Sequence, residues 1–181
     1  KQRKATESKK AQTLAFCGLL LLSCLLWLMD MDLDIMLIRR AKRNDCAALA
    51  ALETGHPGYP AWGEGGLAAE LEKKFSVTLV AASPGGILLG FINFWVLPPQ
   101  IQLNSIVVSA KALRRCVAAA LIAKLGEYAK KNAAWEVDLE VNEHNAPALA
   151  LYGKLGFKVV GSRPKFYNNS EAAILMRKTA G

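Results

Sequence analysis

Residues 139–157 read LEVNEHNAPALALYGKLGF, and this stretch decides the fold. It begins inside an alternating run, Trp135 to Val141, with apolar residues at 135, 137, 139 and 141, the period of a strand. Asn145 and Pro147 then open a helix, because proline is tolerated in a first turn whose N–H groups lack partners anyway. The helix carries Tyr152 and ends near Leu155, where Gly156 permits a sharp return into a strand at 157–160. A strand thus delivers Glu140 near a sheet opening, and the next helix delivers Tyr152. A carboxylate and a phenol brought to one cleft form a base and acid pair. Taken singly, each residue has a plainer reading. Glu140 fits a solvated carboxylate on an outward face, and Tyr152 fits a core aromatic beside Leu151 and Leu155.

Working outward, Met36 to Arg40 reads as a short strand. Asn44 or Asp45 caps a helix to about Glu53, with Ala47, Leu49, Ala50 and Leu52 as its apolar face. Gly55, Pro57, Gly58 and Pro60 break the chain before a second helix, Glu64 to Lys74. Val77–Ala82 and Ile87–Leu97, joined by Ser83-Pro84-Gly85-Gly86, predict a hairpin. Pro98-Pro99 ends it, and Ile101 to Ser109 is a further strand. Lys111 to Lys131 reads as a helix, with Leu113, Val117, Leu121, Leu125 and Tyr128 on one face. Ala172 to Met176 is the last strand. The order β-α-α-β-β-β-α-β-α-β-β predicts one α/β (α+β) domain over 36–181 with a mixed, mostly antiparallel central sheet flanked by helices.

The chain has 181 residues, 52% apolar and 21% charged, which excludes a disordered polyelectrolyte and a collagen-like repeat. Its mean hydropathy of +0.19 traces to one run, Leu14 to Met29, preceded by lysines and arginine and followed by Asp30, Asp32 and Asp34. Residues 1–35 therefore form a basic and apolar leader. A cleaved signal, a membrane anchor through residues 14–29, and an upstream extension of the working domain remain as readings. From Met36 onward, 18 basic and 11 acidic residues keep +7 of the net +8. That surface suits anionic partners such as phosphates, nucleic acid or a nucleotide cofactor, with a generally solvated positive surface as the alternative. Cys46 and Cys116, the two cysteines outside the leader, form neither a disulfide framework nor a metal pattern, and fit a reducing, cytoplasmic compartment. No metal is expected.

The pattern Asn145, Ala148, Leu151-Tyr152, Leu155-Gly156-Phe157 strongly resembles the GCN5-related N-acetyltransferase (GNAT) superfamily. Leu139-Glu140-Val141 before it, and Arg163, Phe166-Tyr167, Glu171 and Met176 after it, are similar to the ribosomal-protein alanine N-acetyltransferase branch, which acetylates protein N-termini. The resemblance covers residues 36 to about 178. It implies an acetyltransferase that uses acetyl-CoA, without a metal, on a protein or peptide amine. A small-molecule amine and a non-catalytic CoA-binding module are the alternatives, and no direct nucleic-acid binding is expected. An anchored leader with these flanks would put the domain across a membrane from its donor, so the resemblance favours the extension.

The resemblance also implies roles for particular residues. Ile106, Val107 and Val108 hold the cofactor along a strand, and Arg114, Arg115, Cys116, Val117, Ala118 and Ala119 hold it at a helix start. A helix N-terminus suits a pyrophosphate because its free N–H groups and dipole favour negative charge. Leu113 and Cys116 depart from the family's Arg/Gln and Gly. A Cβ at 116 is expected to crowd a phosphate or strain a backbone that needs positive φ. Asn145 bonds the pantetheine arm, Glu140 is the base, and Tyr152 protonates the departing thiolate. The acceptor approaches over the first helices and a loop from Arg163 to Ser170, where Phe166 and Tyr167 line the way; Trp62 either joins them or is structural.

Overall fold

The computed structural model describes residues 36–56 and 60–179. The leader and its apolar run at 14–29 lie outside the described residues, as do Pro57 and Gly58. Within them the strands are β1 (Leu37–Arg40), β2 (Ser76–Ala82), β3 (Leu88–Leu97), β4 (Gln100–Val108), β5 (Glu136–Asn142), β6 (Lys158–Tyr167) and β7 (Glu171–Thr179). The helices are α1 (Cys46–Thr54), α2 (Gly63–Glu72), α3 (Val117–Lys131) and α4 (Ala146–Lys154), with short 3₁₀ turns at Arg43–Asp45 and Ala110–Ala112. All seven strands form one sheet in the order β1-β2-β3-β4-β5-β7-β6. Only β4 and β5 run parallel, as a strand–helix–strand crossover through α3 requires. The expected mixed, mostly antiparallel sheet with flanking helices is therefore present.

The sheet is covered on both faces, so its central strands are buried on both. Val77, Leu79, Ile92, Phe94, Ile101, Leu103, Val137, Leu139 and Val141 meet Val117, Leu121, Leu125 and Ala129 of α3 and Tyr152 of α4. The spacing of four in α3 keeps those side chains on one stripe. On the other face Val80, Phe91 and Val107 meet Cys46 and Leu49 of α1 and Leu67 of α2. The buried face of α1 is thus Cys46, Leu49 and Glu53; Ala47, expected inside, is exposed. Asp45 does not cap α1 forward. Its carboxylate turns back to accept from the Lys42 N–H at 2.7 Å and from Arg39 at 2.7 and 2.9 Å.

Three further expectations need correction. The segment from Lys111 starts in the 3₁₀ turn and is not α-helical until Val117, because Leu113 is extended and Arg114 and Cys116 have φ of 62° and 57°. Leu113 is consequently 52% exposed rather than part of the α3 stripe. Trp135 precedes β5, donates its N–H to Pro99 O at 3.0 Å, and is exposed. The supposed loop from 163 is mostly strand: β6 runs to Tyr167 before turning through Asn168 and Asn169, both at positive φ. Pro164 is tolerated there because β6 is an edge strand, and Lys165 at φ 54° forms the bulge that shifts the register between Arg163 and Tyr167.

Candidate active site

The site begins with a fault in β4. Leu103, Ile106 and Val108 face the α3 side, whereas Val107 faces α1 and α2. Strict alternation cannot give that, so one extra residue must sit between 103 and 106. The register with β3 shifts there, with Phe94 opposite Leu103 and Asn93 opposite Ser105, leaving Asn104 as the bulged residue. The bulge bends β4 away from β5. Pairing between the two covers only Gln100–Leu103 against Glu136–Leu139, although β4 continues to Val108 and β5 to Asn142. Beyond Leu103 and Leu139 the strands part, and this opening carries backbone donors and acceptors along its β4 edge.

Three elements border the opening. At its β4 end, residues 113–116 lead into α3. Cys116 is the residue before the helix, left-handed at φ 57°, ψ 11°. By helix geometry the N–H groups of Val117, Ala118 and Ala119 have no carbonyl partner within α3. Arg114 and Arg115 flank them. The departures at Leu113 and Cys116 have therefore not removed the positive-φ turn that an anion-binding helix start needs. The donor set fits a pyrophosphate, at the cost of strain at a Cβ-bearing residue. His56 adds a fixture that the sequence did not announce. Its Nε2–H donates to Val108 O at 2.9 Å and ties the end of β4 to the segment after α1.

On the β5 side, Glu140 stands on the α1/α2 face, next in line to Asp138 and opposite in facing to Leu139 and Val141. Arg163 of β6 reaches it across β7, Nη1 to Oε1 at 2.9 Å. The Arg163 guanidinium lies 5.8 Å from the Phe166 ring centre, and Phe166 meets Tyr167 edge-on at 5.1 Å. Burial, and then the Glu140 charge, push the Tyr167 phenol above its ordinary range, so Tyr167 stays a neutral hydroxyl beside the carboxylate. Glu140, Arg163, Phe166 and Tyr167 thus form one cluster.

Tyr152 lies on the other face. It is buried in the α3-side core and packs edge-on against Phe157 at 5.6 Å. Glu140 and Tyr152 therefore do not share a face, and β5 lies between the surfaces they occupy. A group that enters between β4 and β5 has each on a different side. Asn145 caps α4, its Oδ1 accepting from Ala148 N at 3.2 Å, which leaves its amide nitrogen for a ligand. Trp62 is the residue before α2 and packs, half-buried, against the α1/α2 cluster. Sequence reasoning missed the Asn93–Asn104 pair. The signal was available as asparagines inside the apolar strands LLGFINFWVL and QIQLNSIVV. A cavity of about 280 Å³ bounded by Arg40, Arg43, Glu72, Ser76 and Thr78 lies behind β1 and β2 and includes none of the expected site residues.

Among the described residues no cluster of three or more His, Cys, Asp or Glu side chains is arranged to hold a metal, and no helix is long and apolar enough to cross a membrane.

Comparison with known proteins agrees with this geometry. The chain is 29% identical over 107 residues to a putative bS18-alanine N-acetyltransferase of Bacillus subtilis, covering 59% of this chain and 70% of that protein. It is 34% identical over 107 residues to the N-alpha-acetyltransferase RimI of Mycobacterium tuberculosis, covering 56% and 66%. The crystal structure of the ribosomal-protein-S18-alanine N-acetyltransferase from Escherichia coli superposes with a TM-score of 0.73 at 24% identity, over 81% of this chain and 95% of that one, and shows the shared fold. A Thermoplasma acidophilum PaiA N-acetyltransferase solved with coenzyme A gives 0.69 at 19% identity, over 80% and 99%. Residues 46–157 match the acetyltransferase (GNAT) family, and with its parted β4 and β5, its positive-φ turn before α3 and its LY-x-x-LGF helix, the chain belongs to that family of acetyl-CoA-dependent N-acetyltransferases.

Proposed function

We propose that this acetyltransferase acts on the free α-amine of a protein or peptide N-terminus by direct transfer. The observation that carries this reading is the Glu140–Arg163–Tyr167 cluster beside the opening, with the Phe166 ring forming an apolar wall next to a carboxylate. An α-amine titrates near pH 8 and a lysine near 10.4, so at neutral pH both arrive largely protonated, the α-amine less so. Either must lose a proton before it can attack a carbonyl.

Acetyl-CoA supplies an acetyl group activated as a thioester. Glu140 accepts the proton of the incoming ammonium, directly or through one water, and Arg163 holds the carboxylate toward the acceptor side. Backbone N–H groups along β4 beyond Leu103 donate to the acetyl carbonyl oxygen, where negative charge develops. The N–H groups of residues 117–119, with Arg114 and Arg115, bind the phosphates. Asn145 Nδ2 donates to the pantetheine arm. Tyr152 Oη–H gives its proton to the departing thiolate.

The experiment is an acetylation assay of the full chain against peptides with free N-terminal residues, the same peptides blocked at the N-terminus but carrying a lysine, and a small polyamine. Transfer to the free N-termini alone, at a kcat/KM at least tenfold above the other classes, is the expected result. Preference for the lysine or the polyamine would replace this reading with another member of the acceptor range.

A further inference from the structure

A chain of buried polar groups runs across the α1/α2 face and ends at the bulge. Glu70 of α2, 7% exposed, accepts from Ser76 Oγ at 2.7 Å and from Trp95 Nε1 at 2.8 Å, and pairs with Lys73. Ser76 Oγ in turn accepts from Asn93 Nδ2 at 2.9 Å, and the same amide nitrogen donates to Thr78 Oγ1 at 2.9 Å. Asn104 Nδ2 donates to Asn93 Oδ1 at 3.0 Å. Asn93 is fully buried.

The direction of every bond in this chain is set at one end. An ionised carboxylate only accepts, so Ser76 must give its proton to Glu70 and offer a lone pair to Asn93. Asn93 then spends both amide hydrogens on Ser76 and Thr78, which leaves only its oxygen for Asn104. Asn104 must therefore donate. The nitrogen and oxygen of an amide diverge from one carbon, so an amide whose nitrogen turns to β3 has its oxygen turned away from β3. That is the side of β4 on which β5 leaves.

Asn104 is also the first β4 residue beyond the last paired one, Leu103, as Glu140 is the first β5 residue beyond Leu139. Both stand on the α1/α2 face. Their backbones no longer pair, so a small group can sit between the two side chains.

We propose that Asn104 Oδ1 is a second hydrogen-bond acceptor for the incoming amine, opposite Glu140, and that the Glu70–Ser76–Asn93 chain fixes its orientation so that the site favours an ammonium that offers two N–H groups at once. This rests on the acceptor approaching Glu140 on that face. A primary ammonium carries three N–H groups. It can bond Asn104 with one, give another's proton to Glu140, and still present its lone pair to the carbonyl. An N-methylated ammonium keeps two N–H groups and can still meet both partners, whereas an N,N-dimethylated one keeps a single N–H and leaves Asn104 or Glu140 without a donor. Asn104 is a binding residue in this scheme; Ser76 and Asn93 are positioning residues.

The test uses the full chain, saturating acetyl-CoA, and two hexapeptides that differ only in an N-terminal alanine or N,N-dimethylalanine, the second read as a competitive inhibitor of the first. Variants are Asn104→Leu, which keeps the volume without the amide, and Ser76→Ala, which cuts the chain far from the opening and leaves Asn104 intact. For Asn104→Leu, KM for the alanine peptide should rise about tenfold, the value of one hydrogen bond to a charged group. The preference for the alanine peptide, taken as the ratio of the dimethylalanine peptide's inhibition constant to the alanine peptide's KM, should fall by a similar factor, with the calorimetric acetyl-CoA dissociation constant at its wild-type value. Ser76→Ala should move both quantities the same way by a smaller factor. An unchanged KM and unchanged preference in a folded Asn104→Leu protein overturns the inference and leaves the proposed activity standing. A weakened acetyl-CoA constant with an unchanged preference also overturns it, since that marks a structural role for the bulge. No transfer by the wild-type chain to the alanine peptide overturns both the acceptor reading and this inference.

Discussion

Arg163 Nη1 lies 2.9 Å from Glu140 Oε1, across a strand that contains neither residue. β7 separates β5 from β6, and Gly161 of β6 and Glu140 of β5 both pair with Leu175. A glycine directly across leaves the space above Leu175 clear, so the diagonal Arg163 can reach the carboxylate. The pair is partly exposed and contributes little to stability, under about 1 kcal/mol. Its effect is on orientation.

Glu140→Gln should lower kcat about a hundredfold, the usual worth of a general base, without changing the acetyl-CoA dissociation constant. Arg163→Met should lower kcat/KM for a peptide acceptor by a smaller factor and shift the melting temperature by no more than a few degrees. Steady-state kinetics with calorimetric cofactor binding check both. A Glu140→Gln enzyme at wild-type rate would remove Glu140 from the mechanism.

Cys116 holds a left-handed conformation at φ 57° that a Cβ disfavours by about 1 kcal/mol or more. Cys116→Gly should raise thermal stability and tighten acetyl-CoA, because the turn before α3 is then unstrained. Cys116→Val, β-branched, should do the reverse. Thermal melts and titration calorimetry of the two variants give opposite signs if the turn geometry governs binding.

Gly90 sits where a Cβ would meet Val107 O at 2.6 Å and Val108 Cα at 3.2 Å. Both contacts are with backbone, so no side-chain rotation relieves them. Gly90→Ala should cost about 1–3 kcal/mol in chemical denaturation. It should also weaken acetyl-CoA binding, since β3 would push the cofactor-side end of β4 out of place.

Asp45 is hydrogen-bonded by the Arg39 guanidinium and by the Lys42 N–H, and these hold its carboxyl below the usual range against the opposing effect of burial. A carboxyl whose folded-state value is depressed stabilises the fold above its unfolded value of about 3.9, and that stability is lost as pH falls through the folded value. Asp45→Asn should therefore cost about 1–2 kcal/mol at neutral pH, and the gap from wild type should stay constant down to about pH 5. Below about pH 4 the gap should close. Urea denaturation at a series of pH values measures it.

The sequence by itself determined the element order and the class of chemistry. Alternation at 137, 139 and 141, the glycine at 156 and the four-residue spacing of Val117, Leu121 and Leu125 are local, and local geometry makes them readable. The LY-x-x-LGF block carried the family for the same reason: its residues are neighbours on one helix and its exit turn. The start of α3 was misread because apolar spacing ran back through Leu113, while the positive φ values at Arg114 and Cys116 leave no periodic mark.

Only the tertiary structure decided what stands beside what. Glu140 finds Arg163 because β7 inserts between β5 and β6, an order no run of residues spells out. Tyr152 lies on the opposite face of the sheet from Glu140, because the parity of β5 and the crossover to α4 set the sides, and the two flank the β4–β5 opening from either face. The opening itself depends on one extra residue in β4, and Asn104 acquires its direction from a carboxylate on α2, three hydrogen bonds away in space and 34 positions away in sequence. Strand pairing and buried hydrogen bonds are long-range, so they are settled only when the sheet closes.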